Sequence, residues 1–177
     1  MEIVLAVMVV LSVVIVAWLT LAQAGEPPAP GKAAPEFSLA GIDGAEHSLA
    51  GLRGARAAIV FHPQDETPEC LAVVGRLAAA NAGIASAGAS LVTVVVSDSA
   101  TAQAYAKAHA PGLRVLCDPA GRVAKAFGTL VNLGFMRFAK KLIVLVDANG
   151  RVERVWRDPV GPEQVEELLR ALGAEPR

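Results

Sequence analysis

The chain has 177 residues, with 16 Lys and Arg against 17 Asp and Glu, for a net charge of −1. That length holds one ordinary domain plus an extension. Near-neutral charge without a basic stripe argues against nucleic acid as a partner. His47, His62, His109 and the two cysteines are scattered, and no Gly-rich phosphate loop follows a strand, so no metal or cofactor is expected.

From the N-terminus, Ile3 to Ala22 is an uncharged, mostly apolar run. About 20 such residues are needed to cross a bilayer. Trp18 stands toward one end, where an aromatic ring suits a membrane interface. No Lys or Arg precedes the run, which argues against a secretory signal, although Ala22-Gln23-Ala24 before Gly25 resembles a cleavage site. Residues 1–24 are therefore expected to form a single-pass transmembrane anchor, or an uncleaved signal, with the membrane as a partner through residues 3–22. Glu2 lies on one side and Glu26 and Lys32 on the other, so the positive-inside rule has almost nothing to count. Gly25 to Pro35, rich in Pro, Gly and Ala, reads as a tether, and residues 36–175 as the domain.

Within the domain, an opening hairpin is expected near 36–49. β-Branched runs predict strands near 57–62, 91–97, 113–117, 142–147 and 151–157. Helices are expected near 67–82, 99–109, 119–127 and 161–172. Leu71, Val74, Leu77 and Ala78 would form the inward face of the first, and Val165, Leu168, Leu169 and Leu172 that of the last. Alternating strands and helices imply a parallel centre, and the hairpin through Asp147-Ala148-Asn149-Gly150 adds an antiparallel edge. Thr129 to Lys141 shows no clear period and is expected to be a loop.

The stretch Phe61-His62-Pro63-Gln64-Asp65-Glu66-Thr67-Pro68-Glu69-Cys70 carries the chemistry. Thr67 is a helix cap and Pro68 suits the first helical position, so Cys70 falls in the first turn. There the free amides and the helix dipole favour a thiolate, which is the nucleophilic form. Glu69, Asp65 and Glu66 oppose ionisation, so a basic residue from elsewhere has to offset them. The alternative is an inert buried cysteine.

Pro63, Thr67 and Cys70 match the Pro-x-x-x-Thr-x-x-Cys signature of peroxiredoxins. Ala34 to Leu39, Gly44 to Gly54, Val94 to Ser99, Leu116 to Pro119, Ala124 to Gly128 and Leu145 to Gly150 resemble further segments of that family, in order, over about residues 31–172. The chain resembles the bacterioferritin-comigratory, or peroxiredoxin Q, type of this AhpC/TSA-like family. The resemblance implies a thioredoxin-like α/β sandwich with a central mixed sheet flanked by helices, here preceded by one transmembrane helix. It implies that Cys70 attacks a peroxide O–O bond and becomes a sulfenic acid, the first rung of cysteine oxidation. Thr67 would hydrogen-bond the thiolate and the peroxide, and Pro63 would shield the site from water. The family's arginine position is Lys141, with Arg137 nearby; Lys supplies charge but not the planar fork. His62 stands where Tyr or Phe is usual, Leu71 and Val73 replace the usual Thr and Glu, and Gly75 replaces the frequent resolving cysteine.

Cys117 ends the strand near 113–117. The implied strand order places it about two strands, roughly 10 Å, from Cys70. A disulfide needs Cα atoms within about 7 Å, so pairing requires local unwinding. Cys117 is either a small residue closing a strand end or a resolving cysteine. The function expected is a thiol-dependent peroxidase acting on hydrogen peroxide or alkyl hydroperoxides. Its partners would be a peroxide and a thiol reductant, either a thioredoxin-like protein or glutathione. By analogy with other anchored thioredoxin-fold proteins, the domain is expected on the extracytoplasmic side. The alternatives are an anchored thiol–disulfide oxidoreductase, against which no Cys-x-x-Cys exists, and a non-catalytic module that binds a membrane partner.

Overall fold

A computed structural model describes residues 2–23 and 25–174, without the side chains of 2, 3, 5 and 17–23. Ala24 and the expected domain boundary at 175 lie outside the described residues, and of Trp18 only the backbone is described.

A five-stranded sheet organises the chain in the order β5-β4-β3-β8-β9. Its strands are β3 (Ala57–Phe61), β4 (Ser90–Val95), β5 (Val115–Cys117), β8 (Leu142–Val146) and β9 (Val152–Arg157). β3 is buried at every residue, as a continuous apolar run in a central strand must be. It pairs parallel to β4 and antiparallel to β8, so the sheet is mixed, as expected. Side chains alternate between two apolar clusters. Ala58, Val60 and Ile143 face one cluster with α3 (Pro68–Ser86), α4 (Ser99–His109) and α6 (Pro162–Leu172). Ile59, Phe61 and Val144 face the other, with α2 (Leu49–Leu52) and α5 (Arg122–Ala126). The hairpin β1 (Ser38–Ala40) and β2 (Glu46–Ser48) appears where it was expected. The described architecture is thus the α/β sandwich of the thioredoxin-like kind.

Several expectations change. Thr129 to Lys141 is not a loop: β6 (Leu130–Asn132) and β7 (Arg137–Ala139) form an antiparallel hairpin. Its strands are three residues each, too short to show a period. The inward stripe of α3 is Cys70, Val73, Val74 and Leu77, at spacings of three and four residues, whereas Leu71 is only half-buried. The second half of the expected tether hydrogen-bonds to the domain, through Gly31 N–H to Val152 O and Ala34 N–H to Gly150 O. Residues 25–27 pass so closely over Gly128 that a Cβ there would collide with their backbone, and φ at Gly128 is +69°.

The membrane expectation is corrected. Residues 3–22 lie in helix α1 (Glu2–Gln23), but among the described residues no helix is long and apolar enough to cross a membrane. The single-pass placement, the extracytoplasmic location and the membrane partner fall with it.

Candidate active site

The site is built where β3 ends. Residues 62–66 leave the sheet, and Thr67 stops the turn by capping α3: its Oγ1 accepts from Cys70 N–H at 3.3 Å. Pro68 occupies the start of the helix, so Cys70 sits in the first turn as the sequence predicts.

The sulfur itself is enclosed, with Cys70 at 0% exposure among Val60, Val73 and Val74. Its thiol donates to the Pro63 carbonyl at 3.2 Å. Tyr105 Oη lies 3.8 Å from Sγ. Burial pushes the Cys70 thiol up to about 11; the Tyr105 hydroxyl opposes this, the Asp65 carboxylate adds to it, and Lys141 works the other way. The first-turn position therefore does not by itself hold an anion here, because desolvation outweighs it.

Thr67 gives its hydroxyl proton to Asp65 Oδ1 at 2.8 Å, not to the sulfur. Pro63 is half-buried, and its carbonyl accepts from both Cys70 and His62 Nδ1, the latter at 2.9 Å. Lys141 stands one residue before β8. Phe61 pairs with Leu142, so the next position along the ladder sets Lys141 opposite His62. Arg137 instead donates to Ala120 O at 3.4 Å and is exposed. It lines a cleft of ≈ 370 Å³ with His62, Pro63, Gln64, Met136 and Phe138.

His62 directly follows β3. It is 1% exposed, its Nε2 has no partner, and burial lowers its pKa. Because Nδ1 faces a carbonyl, the ring proton resides there. Tyr105 was missed altogether. The signal available was the buried stripe Ala102, Tyr105 and Ala106 on α4. Cys117 ends β5 beside Val95, two strands from β3, and both cysteines are free and buried. Burial raises the Cys117 pKa too.

A thiol, a threonine cap and a phenol thus meet at one helix start, with Lys141 near enough to act on the charge of the thiol, a set that can support nucleophilic sulfur chemistry. Residues 30–155 match the AhpC/TSA family. Chloroplastic peroxiredoxin Q of Oryza sativa subsp. japonica is 28% identical over 80% of this chain. The chain spans 65% of that relative's length. Chloroplastic peroxiredoxin Q of Arabidopsis thaliana is 30% identical over 81% of this chain and 67% of its own. Peroxiredoxin Bcp of Escherichia coli K12 is 26% identical over 75% of this chain and 87% of its own. Among solved structures, peroxidoxin BcpB from Mycobacterium tuberculosis superposes with a TM-score of 0.75 at 20% identity, over 85% of this chain and 99% of that one.

Proposed function

The chain belongs to the AhpC/TSA family, and from that premise we propose that it is a thiol-dependent peroxidase with Cys70 as nucleophile. The observation that carries this reading is the placement of Cys70, in the first turn of a Thr67-capped helix and one hydrogen bond from Pro63. The Cys70 thiolate attacks one oxygen of R–O–O–H, where R is hydrogen or alkyl. The O–O bond breaks, Cys70 becomes a sulfenic acid, and RO⁻ takes a proton and departs as ROH. Lys141 supplies positive charge toward the oxygen that becomes RO⁻, and backbone amides of the first turn assist. Thr67 joins them by turning its hydroxyl from Asp65 to the peroxide. Pro63, whose carbonyl faces the sulfur, screens it from water.

Two equivalents of an external thiol complete the cycle. The first displaces water from the sulfenic acid to give a mixed disulfide, and the second releases the Cys70 thiol and an external disulfide. A thioredoxin-like protein or glutathione has this chemistry. Alternatively, if the start of α3 unwinds far enough to cross two strands, the Cys117 thiol displaces the water, and the same two equivalents of external thiol then reduce the Cys70–Cys117 disulfide.

The test is peroxide consumption by the purified chain with dithiothreitol. The native chain should consume hydrogen peroxide and tert-butyl hydroperoxide, and Cys70→Ser should not. No consumption by the native chain, or equal consumption by Cys70→Ser, ends the proposal. Mass spectrometry after one equivalent of peroxide separates the two cycles: a dimedone adduct on Cys70 marks external reduction, and a Cys70–Cys117 bond marks internal resolution.

A further inference from the structure

We propose that Tyr105 is a catalytic hydrogen-bond donor to the Cys70 sulfur, engaging it when the thiol ionises. The proposal rests on the reading of Cys70 as nucleophile. Tyr105 is the only tyrosine of the chain and projects from α4 to within 3.8 Å of Sγ. Its hydroxyl also faces the Asp65 carbonyl at 3.4 Å, which is a long bond and an easy one to leave. The phenol is 9% exposed. Its ring lies between two imidazoles, 5.7 Å from that of His62 and 5.0 Å from that of His109. Held on both sides, the phenol keeps one useful freedom, rotation of its O–H between the Asp65 carbonyl and the sulfur.

Ionisation changes which of these acceptors is better. As a thiol, Cys70 spends its proton on the Pro63 carbonyl. As a thiolate it has no proton to give and needs donors. Before peroxide arrives Thr67 donates to the Asp65 carboxylate, and Tyr105 is the hydroxyl already in reach of the sulfur. A charged acceptor takes the hydrogen bond in preference to a neutral carbonyl. Other ionisable groups around the pair are Asp65, Glu66 and His62 from the loop, His109 from α4 and Lys141 from the start of β8. Asp65 opposes the thiolate and Lys141 favours it. His109 Nε2 faces Glu66 Oε1 at 3.3 Å, so these two answer each other. Burial and the neighbouring sulfur raise the Tyr105 pKa, so the phenol stays a donor when the sulfur is charged.

Tyr105→Phe keeps the ring and removes the donor. The readouts are the iodoacetamide rate at Cys70 against pH, followed by peptide mass mapping, and the rate of sulfenic acid formation with hydrogen peroxide. The rising limb of the alkylation profile should move to the alkaline side by about one pH unit, and the peroxide rate should fall about tenfold, as expected for a bond to a charged group. An unmoved alkylation limb overturns the proposal, even if the peroxide rate falls, because lost packing alone would do that. If Tyr105→Phe does not fold, uniform 3-fluorotyrosine labelling alters this one phenol. Its stronger donor should move the limb to the acid side, and an unmoved limb again overturns the proposal. Alkylation needs no peroxide, so failure of the peroxidase reading would appear separately, as a native chain inert to peroxide.

Discussion

Varying pH tests the electrostatics of the resting site. An ordinary cysteine with a pKa of 9.0 is about one part in a hundred thiolate at pH 7. With the thiol pushed up to about 11, that share becomes about one part in ten thousand. The hundredfold deficit corresponds to about 2.7 kcal/mol. It is partly offset, because a more basic thiolate is more nucleophilic, by about tenfold over this interval. Alkylation and peroxide attack should therefore run about tenfold slower at pH 7 than at an ordinary thiol, before any penalty for access. More tellingly, both rates should climb about tenfold per pH unit from 6 to 10 without levelling. Steric enclosure multiplies the rate by a factor independent of pH, so the slope is the readout. Iodoacetamide with mass mapping follows Cys70 and Cys117 separately, and peroxide loss in dithiothreitol gives the second profile. A plateau below pH 8 would refute the balance drawn here, in which desolvation exceeds the combined pull of Tyr105 and Lys141.

Three further outcomes are expected. Asp65→Asn removes the carboxylate that opposes ionisation, so Cys70 alkylation at pH 8 should rise about threefold. Lys141→Gln should lower it by about the same factor and Lys141→Arg should restore it, since the effect is one of charge; equal rates in all three chains would remove Lys141 from the site. His62 is kept neutral by burial, with its folded pKa below the ordinary 6.5. The folded chain then binds fewer protons than the unfolded one below pH 6.5. Stability from this group is complete above 6.5 and is lost as pH falls through the folded pKa, at up to about 1.4 kcal/mol per pH unit. Urea midpoints from pH 7.5 to 5 should show that loss in the native chain and less of it in His62→Phe.

Legibility in the sequence followed the range of the forces involved. β3 declared itself because a central strand is apolar on both faces, and α4 begins and ends at 99 and 109 as its period predicts. The Thr67-Pro68 pair fixed the position of Cys70 along α3, because capping is local. What the cap could not say is which way the sulfur points. That was written in the spacing of Cys70, Val73, Val74 and Leu77, which puts Cys70 on the packed face and makes desolvation the largest influence on it. Tyr105 and Cys70 are 35 positions apart and meet through the packing of α4 against α3, which no short window contains. β6 and β7 were invisible for another reason: three-residue strands are held by their partner and by contacts such as Thr129 Oγ1 to Lys140 O at 2.6 Å.

Lys141 owes its place to arithmetic along two backbones. Phe61 opposite Leu142 is a rung of the central ladder, so the cation stands one step past that rung. Replacing the side chain at 141 changes the charge there without moving its root. Deleting one residue inside β8 would shift the count by one, send alternate side chains to the opposite layer and take residue 141 from its place opposite His62, with every residue of the turn from Pro63 to Cys70 still in place.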